Sequence, residues 1–372
     1  DVYKRQLMEC PICKKDNNTK DLFCNHCRYP INVKKIDEYS DADLSYHLTC
    51  FNEILSSDSV PLTENVELNQ IYDEYIHLDW LRPESAIIRF LRAKIMLDIR
   101  DKYLNYPMLD LGCGDGIFTS ILFGARVNKK YDAYEEVDFS KSDVYNIYKK
   151  FPNDYLVQKS KRIGIGVDIK DSMVKKARNL KCYDSVHTGD IRNIPISTSS
   201  VKSVYCSMVD DIKLEDLETV FNDVSRVLCD NGHFVFTTPT EYFTDYLYYK
   251  NKAATLGNKN ESELCMLLDR GRSEWKSRPL DFWKVLLENT PFEIVGFHPY
   301  GNKKTLNFWD TGFRPLFKTF MDMRKNLKAN GLFFEMKIVW VTMLKETIKK
   351  YVKSENIENG AFSIIILKKM EK

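Results

Sequence analysis

The residues best suited to bind a ligand stand around one glycine-rich segment. A short apolar run, 108–111, carries Asp110, and three glycines follow it at alternate positions, Gly112, Gly114 and Gly116. Glycine lets the backbone pass close to a ligand because it has no Cβ and tolerates positive φ. Residues 117–123 then have the composition of a helix start. The segment therefore predicts a strand, a tight ligand-facing turn and a helix.

The spacing of these glycines narrows the choice of ligand. In the dinucleotide fingerprint G-x-G-x-x-G, the third glycine stands five residues after the first, and a pyrophosphate rests on the helix N-terminus. Ile117 occupies that position here. A carboxylate beside the turn repels a pyrophosphate but attracts an ammonium group. The pattern therefore favours a nucleoside that carries positive charge and no phosphate.

Two further acids end apolar runs downstream. Asp168 ends the run that begins at residue 163, and Asp190 ends the run that begins at residue 185. An acid about 20 residues past the glycines commonly holds ribose hydroxyls, and Asp138 lies nearer that distance. The flanks of Asp138 make a poor buried strand, so we assign this role to Asp168. Because the carboxyl ends of parallel strands meet at one edge of a sheet, these acids and Asp110 should surround one crevice.

Together with strand-like runs at 203–209 and 233–239, this pattern resembles the class I S-adenosyl-L-methionine (SAM)-dependent methyltransferases of the small-molecule type, over about 82–300. The resemblance implies an α/β fold whose Rossmann-like seven-stranded sheet has the order 3-2-1-4-5-7-6, with strand 7 antiparallel and helices on both faces. It also implies that SAM is the cofactor and that Asp190 accepts a hydrogen bond from the adenine amino group. The expected SAM-binding residues are Asp110, Gly112, Cys113, Gly114, Gly116, Asp168, Ile169, Asp190, Ile191 and Ser207.

The sequence assigns no catalytic residue. Members of this family often have Glu-His after the fourth strand, whereas this chain has Val-Asp-Asp at 209–211. His298 and Tyr300 end the sixth predicted strand and are conceivable bases, while His233 starts its strand and should lie at the opposite edge. Methyl transfer needs a base mainly when the acceptor is a hydroxyl. We therefore leave the catalytic residue open.

Four of the ten cysteines form two Cys-x-x-Cys pairs near the N-terminus, Cys10 with Cys13 and Cys24 with Cys27. Each pair places two thiolates on one tight turn, and two such turns complete a tetrahedral zinc site. The segment resembles a small zinc ribbon, and four thiolates leave no open position, so Zn²⁺ would be structural. A redox Cys-x-x-Cys is the less favoured alternative. The other six cysteines are scattered singly, which indicates a reducing compartment.

These features divide the chain into three predicted parts. They are a zinc ribbon at 8–33, a helical linker or cap at 34–105, and a SAM-binding methyltransferase domain at 106–372. Insertions are expected in the last part at about 126–161 and 301–358. Met8 stands just before the first cysteine pair, and we expect the native chain to start there.

Composition limits the function classes. The net charge of +2 gives no overall basic footprint for nucleic acid. No 18-residue run lacks charges and no signal peptide is visible, so we expect a cytoplasmic protein without a membrane span. The predicted function is methyl transfer from SAM to a small-molecule acceptor, such as a saccharide, a lipid-linked intermediate or another metabolite.

Two alternatives stay open. The guanine-N1 methyltransferases of large-subunit ribosomal RNA also join an N-terminal zinc module to this fold, although their module has a histidine ligand and different spacing. RNA is therefore a less favoured partner. A non-catalytic scaffold with the SAM fold is the second alternative, and the intact acids count against it. The apolar insertion 309–353 favours a lid or a homodimer surface over membrane contact.

Overall fold

The computed structural model describes most of the chain beyond residue 60. The described residues are 7–9, 13–18, 42, 45, 48–49, 61–135, 137–138, 148–207, 209, 212–269, 271–352 and 357–371. Three of the predicted zinc ligands, Cys10, Cys24 and Cys27, lie outside them, as does most of the predicted helical linker or cap before residue 61. Of the four cysteines, Cys13 falls within the described part.

The strands form one large sheet and two small ones. Their bounds are Leu7–Glu9 (β1), Asp16–Asn18 (β2), Met108–Leu111 (β3), Arg126–Val127 (β4), Leu156–Gln158 (β5), Gly164–Asp168 (β6), Ser185–Thr188 (β7), Val201–Cys206 (β8), Leu228–Pro239 (β9), Phe292–Tyr300 (β10) and Phe362–Lys369 (β11). The large sheet has seven strands in the order β7-β6-β3-β8-β9-β11-β10. Strand β11 is antiparallel to both β9 and β10, and the pairs from β7 to β9 are parallel.

This sheet confirms the expected Rossmann-like architecture. Counted within the sheet alone, the strands run 3-2-1-4-5-7-6. The chain-wide numbering differs in detail because four further strands form two small sheets, β1-β2 and β4-β5. The second of these small sheets closes the insertion predicted at about 126–161, since Val127 pairs with Leu156. We call the segment between β4 and β5 the excursion.

The helices cover both faces of the sheet. Their bounds are Val66–Leu78 (α1), Pro83–Tyr103 (α2), Ile117–Leu122 (α3), Asp171–Leu180 (α4), Leu214–Val227 (α5), Tyr242–Tyr246 (α6), Tyr248–Thr255 (α7), Lys259–Asp269 (α8), Leu280–Leu287 (α9), Lys303–Thr311 (α10), Phe317–Ala329 (α11) and Phe333–Val352 (α12). One buried cluster joins the sheet to α1, α2, α3 and α12, and another joins it to α5 and α9. No helix among the described residues is both long and apolar enough to cross a membrane.

Strand β9 corrects the predicted start of the fifth strand. The sequence indicates a turn at Asn231-Gly232 before the strand, but β9 already begins at Leu228, directly after α5. The turn signal persists as a local irregularity, because Asn231 has a φ of 58° and the pairing with β8 shifts register between Val201 and Ser203. Such a bulge lets the strand continue through a residue with positive φ.

A buried polar network ties the excursion to the helices around it. Asp132 accepts a hydrogen bond from Trp80 Nε1 (3.1 Å) and pairs with Arg324 of α11. Lys337 of α12 donates to the carbonyl oxygens of Tyr131 (2.7 Å) and Lys129 (3.2 Å). Burial lowers the pKa of Lys337 to about 8. The segment 129–132 is thus fixed by side chains distant in sequence.

Replacing Arg324 by methionine should destabilise the fold strongly. The side chains of Asp132 and Arg324 are 1% and 7% exposed, and removing one partner of a buried pair leaves an uncompensated charge, at a cost of about 3 kcal/mol or more. Urea unfolding followed by circular dichroism measures the loss. Lys325→Met is the matched control, because the Lys325 side chain is 67% exposed. Equal stability of the two variants would contradict this account.

Candidate cofactor site

The glycine turn is anchored to the neighbouring strand. The backbone N–H groups of Gly112 and Cys113 both donate to the carbonyl oxygen of Val167 in β6, at 2.8 and 3.0 Å. Gly112, Gly114 and Gly116 have φ values of 74°, 55° and 79°, which favour glycine over residues with a Cβ. The predicted strand, turn and helix are therefore present as β3, the turn 112–116 and α3.

Asp168, at the end of β6, holds the turn from the other side. Its Oδ2 accepts from the backbone N–H of Gly114 (2.9 Å), and its Oδ1 accepts from the backbone N–H of Lys170 (2.8 Å). The residue is 7% exposed. A carboxylate has about four lone-pair positions, so each oxygen keeps acceptor capacity for a ligand hydroxyl. Asp138, the competing candidate, lies outside all strands of the described chain.

A cavity of about 540 Å³ opens where the strands β3, β6, β7 and β8 end. This is the edge at which open α/β sheets bind ligands. The cavity is lined by Gly112, Gly114, Asp168, Ile169, Lys170, Met173, Asp190, Ile191, Arg192, Cys206, Ile212, Lys213 and Asp216. Ile169 is 65% exposed, and with Ile191, Ile212 and Met173 it gives the cavity an apolar side suited to a flat ring.

The charges in the cavity are balanced, which differs from the ring of acids that the sequence indicates. Arg192 forms a fork with Asp190, with Nη2 2.6 Å from Oδ2 and Nε 3.0 Å from Oδ1. This pairing lowers the pKa of Asp190. Arg192 also reaches Asp216 at 3.5 Å, and Lys170 and Lys213 complete the basic side chains. The acids therefore attract a cation less strongly than the sequence alone implies.

Asp110 lies behind the turn and is not among the described residues that line the cavity. Its Oδ2 accepts a hydrogen bond from Tyr183 Oη (2.6 Å). Burial raises the pKa of Asp110 to about 6, although hydrogen bonds from Tyr183 and Thr119 favour the carboxylate. Asp110 therefore does not border the cavity with Asp168 and Asp190, although the charge of Asp168 lies near enough to raise its pKa further.

Other predicted residues are also distributed around the cavity edge. The Cys113 side chain packs with Val174, Ala177 and Val186, and burial raises the pKa of its thiol. Ser207 directly follows Cys206, which lines the cavity. Its carbonyl oxygen accepts from Thr237 Oγ1 at 3.1 Å.

The histidines and tyrosine weighed as bases lie away from this cavity. His298 and Tyr300 are in β10, the edge strand that β11 and β9 separate from β8. His298 is partly buried, which lowers its pKa, and Tyr300 is buried in the core. His233 pairs with Ser203 near the start of β8 and packs against Tyr103, at the opposite edge as expected.

Sequence reasoning missed several residues that shape the cavity. Lys170 and Arg192 each stand two residues after a predicted acid, and this local spacing is a signal that could have indicated them. Arg278 could not be found in this way. It is 5% exposed and donates to the carbonyl oxygens of Val209 (3.1 Å) and Ile212 (2.9 Å), which fixes the loop after β8.

The sheet order, the antiparallel strand within it and the cavity at the glycine turn define an α/β domain with a Rossmann-like sheet. Residues 152–236 match a family model described as a methyltransferase domain. This segment runs from the end of the excursion into β9 and includes Asp168 and Asp190. The match covers 85 of the 372 residues and supports a methyltransferase domain over that segment. Comparison with curated protein sequences gave no match.

Solved structures with a similar fold include three of bacterial origin. A SAM-dependent methyltransferase of Thermotoga maritima is 13% identical, with 80% of this chain and 98% of that chain covered and a TM-score of 0.39. The geranyl diphosphate C-methyltransferase of Streptomyces coelicolor A3(2), solved with S-adenosyl-L-homocysteine (SAH), is 13% identical, with 77% of this chain and 82% of that chain covered and a TM-score of 0.36. The YcgJ protein of Bacillus subtilis is 14% identical, with 75% of this chain and 98% of that chain covered and a TM-score of 0.35. These values carry no argument about the acceptor.

Alanine substitutions in the turn should separate ligand binding from stability. A Cβ on Gly114 meets no atom within 4 Å, so Gly114→Ala should cost about 1 kcal/mol from its positive φ. Since Gly114 lines the cavity, this variant should bind SAM at least about tenfold more weakly. A Cβ on Gly116 would lie 2.7 Å from Tyr183 Cε2, and Gly116→Ala should lose about 3 kcal/mol.

Urea unfolding and SAM titration measure the two effects. Gly257→Ala is the control, because a Cβ there also meets no atom within 4 Å and Gly257 is not among the glycines with positive φ. If Gly114→Ala binds SAM as the unmodified chain does, the turn does not contact the cofactor.

Proposed function

We propose that the protein transfers a methyl group from SAM to a small-molecule acceptor. The observation that carries this proposal is the cavity at the glycine turn, where an apolar side formed by Ile169, Ile191 and Ile212 adjoins the Asp168 carboxylate. An apolar slot beside a buried carboxylate suits a nucleoside, whose flat base and ribose hydroxyls need these two surroundings. The match of residues 152–236 to a methyltransferase domain supports the same assignment.

The proposed roles of the residues follow from their positions. The Asp168 carboxylate would accept from ribose hydroxyls while it keeps its two backbone partners, and Ile169 and Ile191 would contact the adenine ring. Asp190 would accept from the adenine amino group beside its fork with Arg192. Asp110, Cys113 and Gly116 would contribute through the shape of the turn, and Ser207 through its place after β8.

SAM supplies an activated methyl group, because a sulfonium is already a good leaving group. The contribution of the protein is then to hold the acceptor against that methyl group, and alignment of this kind supplies most of the acceleration.

Calorimetry on the full chain tests the cofactor. SAM and SAH should bind, and NAD and ATP should give no heat. Asp168→Asn should weaken SAM binding at least about tenfold, because an amide NH₂ would face the backbone N–H of Gly114 or Lys170 and leave donors unpaired. Asp281→Asn is the control, since the Asp281 side chain is 85% exposed. Binding of NAD or ATP without SAM would overturn the proposal.

We also propose that the N-terminal segment binds one structural Zn²⁺ through Cys10, Cys13, Cys24 and Cys27. Strands β1 and β2 pair as an antiparallel hairpin in which Glu9 faces Asp16, so the first cysteine pair falls in the connection between them. A hairpin turn that carries Cys-x-x-Cys is suited to place two thiolates on one side of a metal. The other pair lies outside the described residues.

Metal analysis of the purified chain tests this site. The protein should contain about one zinc per chain, and Cys13→Ser should lower the zinc content because three thiolates bind the ion more weakly. Cys265→Ser is the control, because Cys265 lies in α8, far along the sequence from the two pairs. Retention of zinc by Cys13→Ser, or its absence from protein produced with zinc, would contradict the assignment.

We propose that the chain divides into a zinc ribbon at 8–33, a cap at 34–105 and a SAM-binding domain at 106–372. Helices α1 and α2 share one buried cluster with α3, α12 and the sheet, which supports a cap at 34–105 rather than a free linker. The insertions at about 126–161 and 301–358 contact each other through Asp132, Arg324 and Lys337.

A further inference from the structure

A second cavity, of about 350 Å³, borders the glycine turn at the residue next to the cofactor cavity. Gly114 lines the cofactor cavity, and the next residue, Asp115, lines the second one together with Ile117. The remaining walls come from 131–135 and 149–155 in the excursion and from Lys176 of α4. Consecutive residues of one turn therefore border both cavities, so a ligand in the second cavity would lie close to a ligand in the first.

Aromatic rings form one wall of this second cavity. The rings of Phe151 and Tyr155 stack with centroids 4.2 Å apart and an interplanar angle of 22°. The ring centroids of Tyr131 and Tyr155 are 5.7 Å apart. Ile117 and Pro152 add apolar surface. Two aromatic rings in an offset or edge arrangement gain binding free energy beyond that from their buried area. Such a wall therefore favours planar aromatic ligands.

The wall is held in place before any ligand arrives. Tyr131 is fixed through its carbonyl oxygen, which accepts from the buried Lys337 at 2.7 Å. The next residue, Asp132, is bound by Trp80 and Arg324, so its carboxylate is engaged inside the protein rather than offered to a ligand. Elements fixed by buried partners make a more selective site than mobile loops do.

We propose that this second cavity is the acceptor site and that it takes a planar aromatic ring. This rests on the proposed methyltransferase function and adds the class of acceptor. The cavity volume is at the lower end of the range for small-molecule sites, which suits one or two rings. Lys149 and Lys150 lie at its exposed rim, where Lys149 pairs with Glu135 at 3.6 Å, and Lys150 allows a polar or anionic substituent to point outward.

The test compares 4-hydroxybenzoate with 4-hydroxycyclohexanecarboxylate on the full chain saturated with SAH. The two compounds carry the same hydroxyl and carboxylate, but only the first is planar. Calorimetry should show the aromatic compound binding roughly fivefold tighter. Phe151→Leu should lower its affinity roughly two- to tenfold and leave the saturated analogue unchanged. Tyr131→Leu should give the same pattern.

The control is Tyr248→Leu, because Tyr248 is 40% exposed and lies in α7, outside the walls of both cavities. SAH affinity, measured first, shows that each variant is folded. Equal binding of the two compounds, absence of aromatic binding, or equal effects of Phe151→Leu and Tyr248→Leu would overturn the inference. Failure of the unmodified chain to bind SAH would instead overturn the proposed function.

Discussion

The structure of the site depends on one carboxylate that holds the glycine turn. Asp168 bridges the backbone N–H groups of Gly114 and Lys170, so one side chain joins the turn after β3 to the start of α4. Hydrogen bonds to a charged acceptor are stronger than neutral ones, so this carboxylate holds the turn firmly to the neighbouring strand. The carboxylate therefore determines both the shape of the turn and the polarity of the cavity it borders.

A second set of buried polar contacts fixes the part of the excursion that lines the second cavity. Lys337 and Arg324 come from α12 and α11, yet their partners lie in the excursion between β4 and β5. Buried charges are costly unless they are paired, and here each finds a carboxylate or carbonyl partner. Residues from the late part of the chain thus shape a cavity beside a turn formed from its early part. These contacts join α11 and α12 to the segment 129–132.

Much of the fold could be predicted because it is local. An apolar run that ends in an acid identifies β6 and Asp168, and alternate glycines identify the turn after β3. The direction of Asp110 could not be read in this way, because Tyr183, which binds it, lies in another part of the chain. The same applies to Arg278, whose two acceptors are carbonyl oxygens distant in sequence. Backbone acceptors leave no trace in residue type.

Strand β9 shows how a correct local signal can give a wrong boundary. Asn-Gly is a strong turn signal, and Asn231 does adopt positive φ, but the flanking residues continue to pair. Whether a turn ends a strand or only bends it depends on the neighbour in the sheet, which sequence alone does not place. The aromatic wall of the second cavity could not be predicted from the sequence for a related reason. Its rings belong to the excursion, which has no regular hydrophobic periodicity.

The position of β11 has a consequence for how the sheet assembles. This strand lies between β9 and β10 and is antiparallel to both, and Phe362 pairs with Tyr300 on one side and Pro239 on the other. Strand β10 therefore has no place in the sheet until the α10–α12 segment has been made and β11 has arrived. Pairing between distant segments slows folding and leaves strand edges open meanwhile. On the ribosome, β9 would therefore keep one unpaired edge throughout the synthesis of these helices.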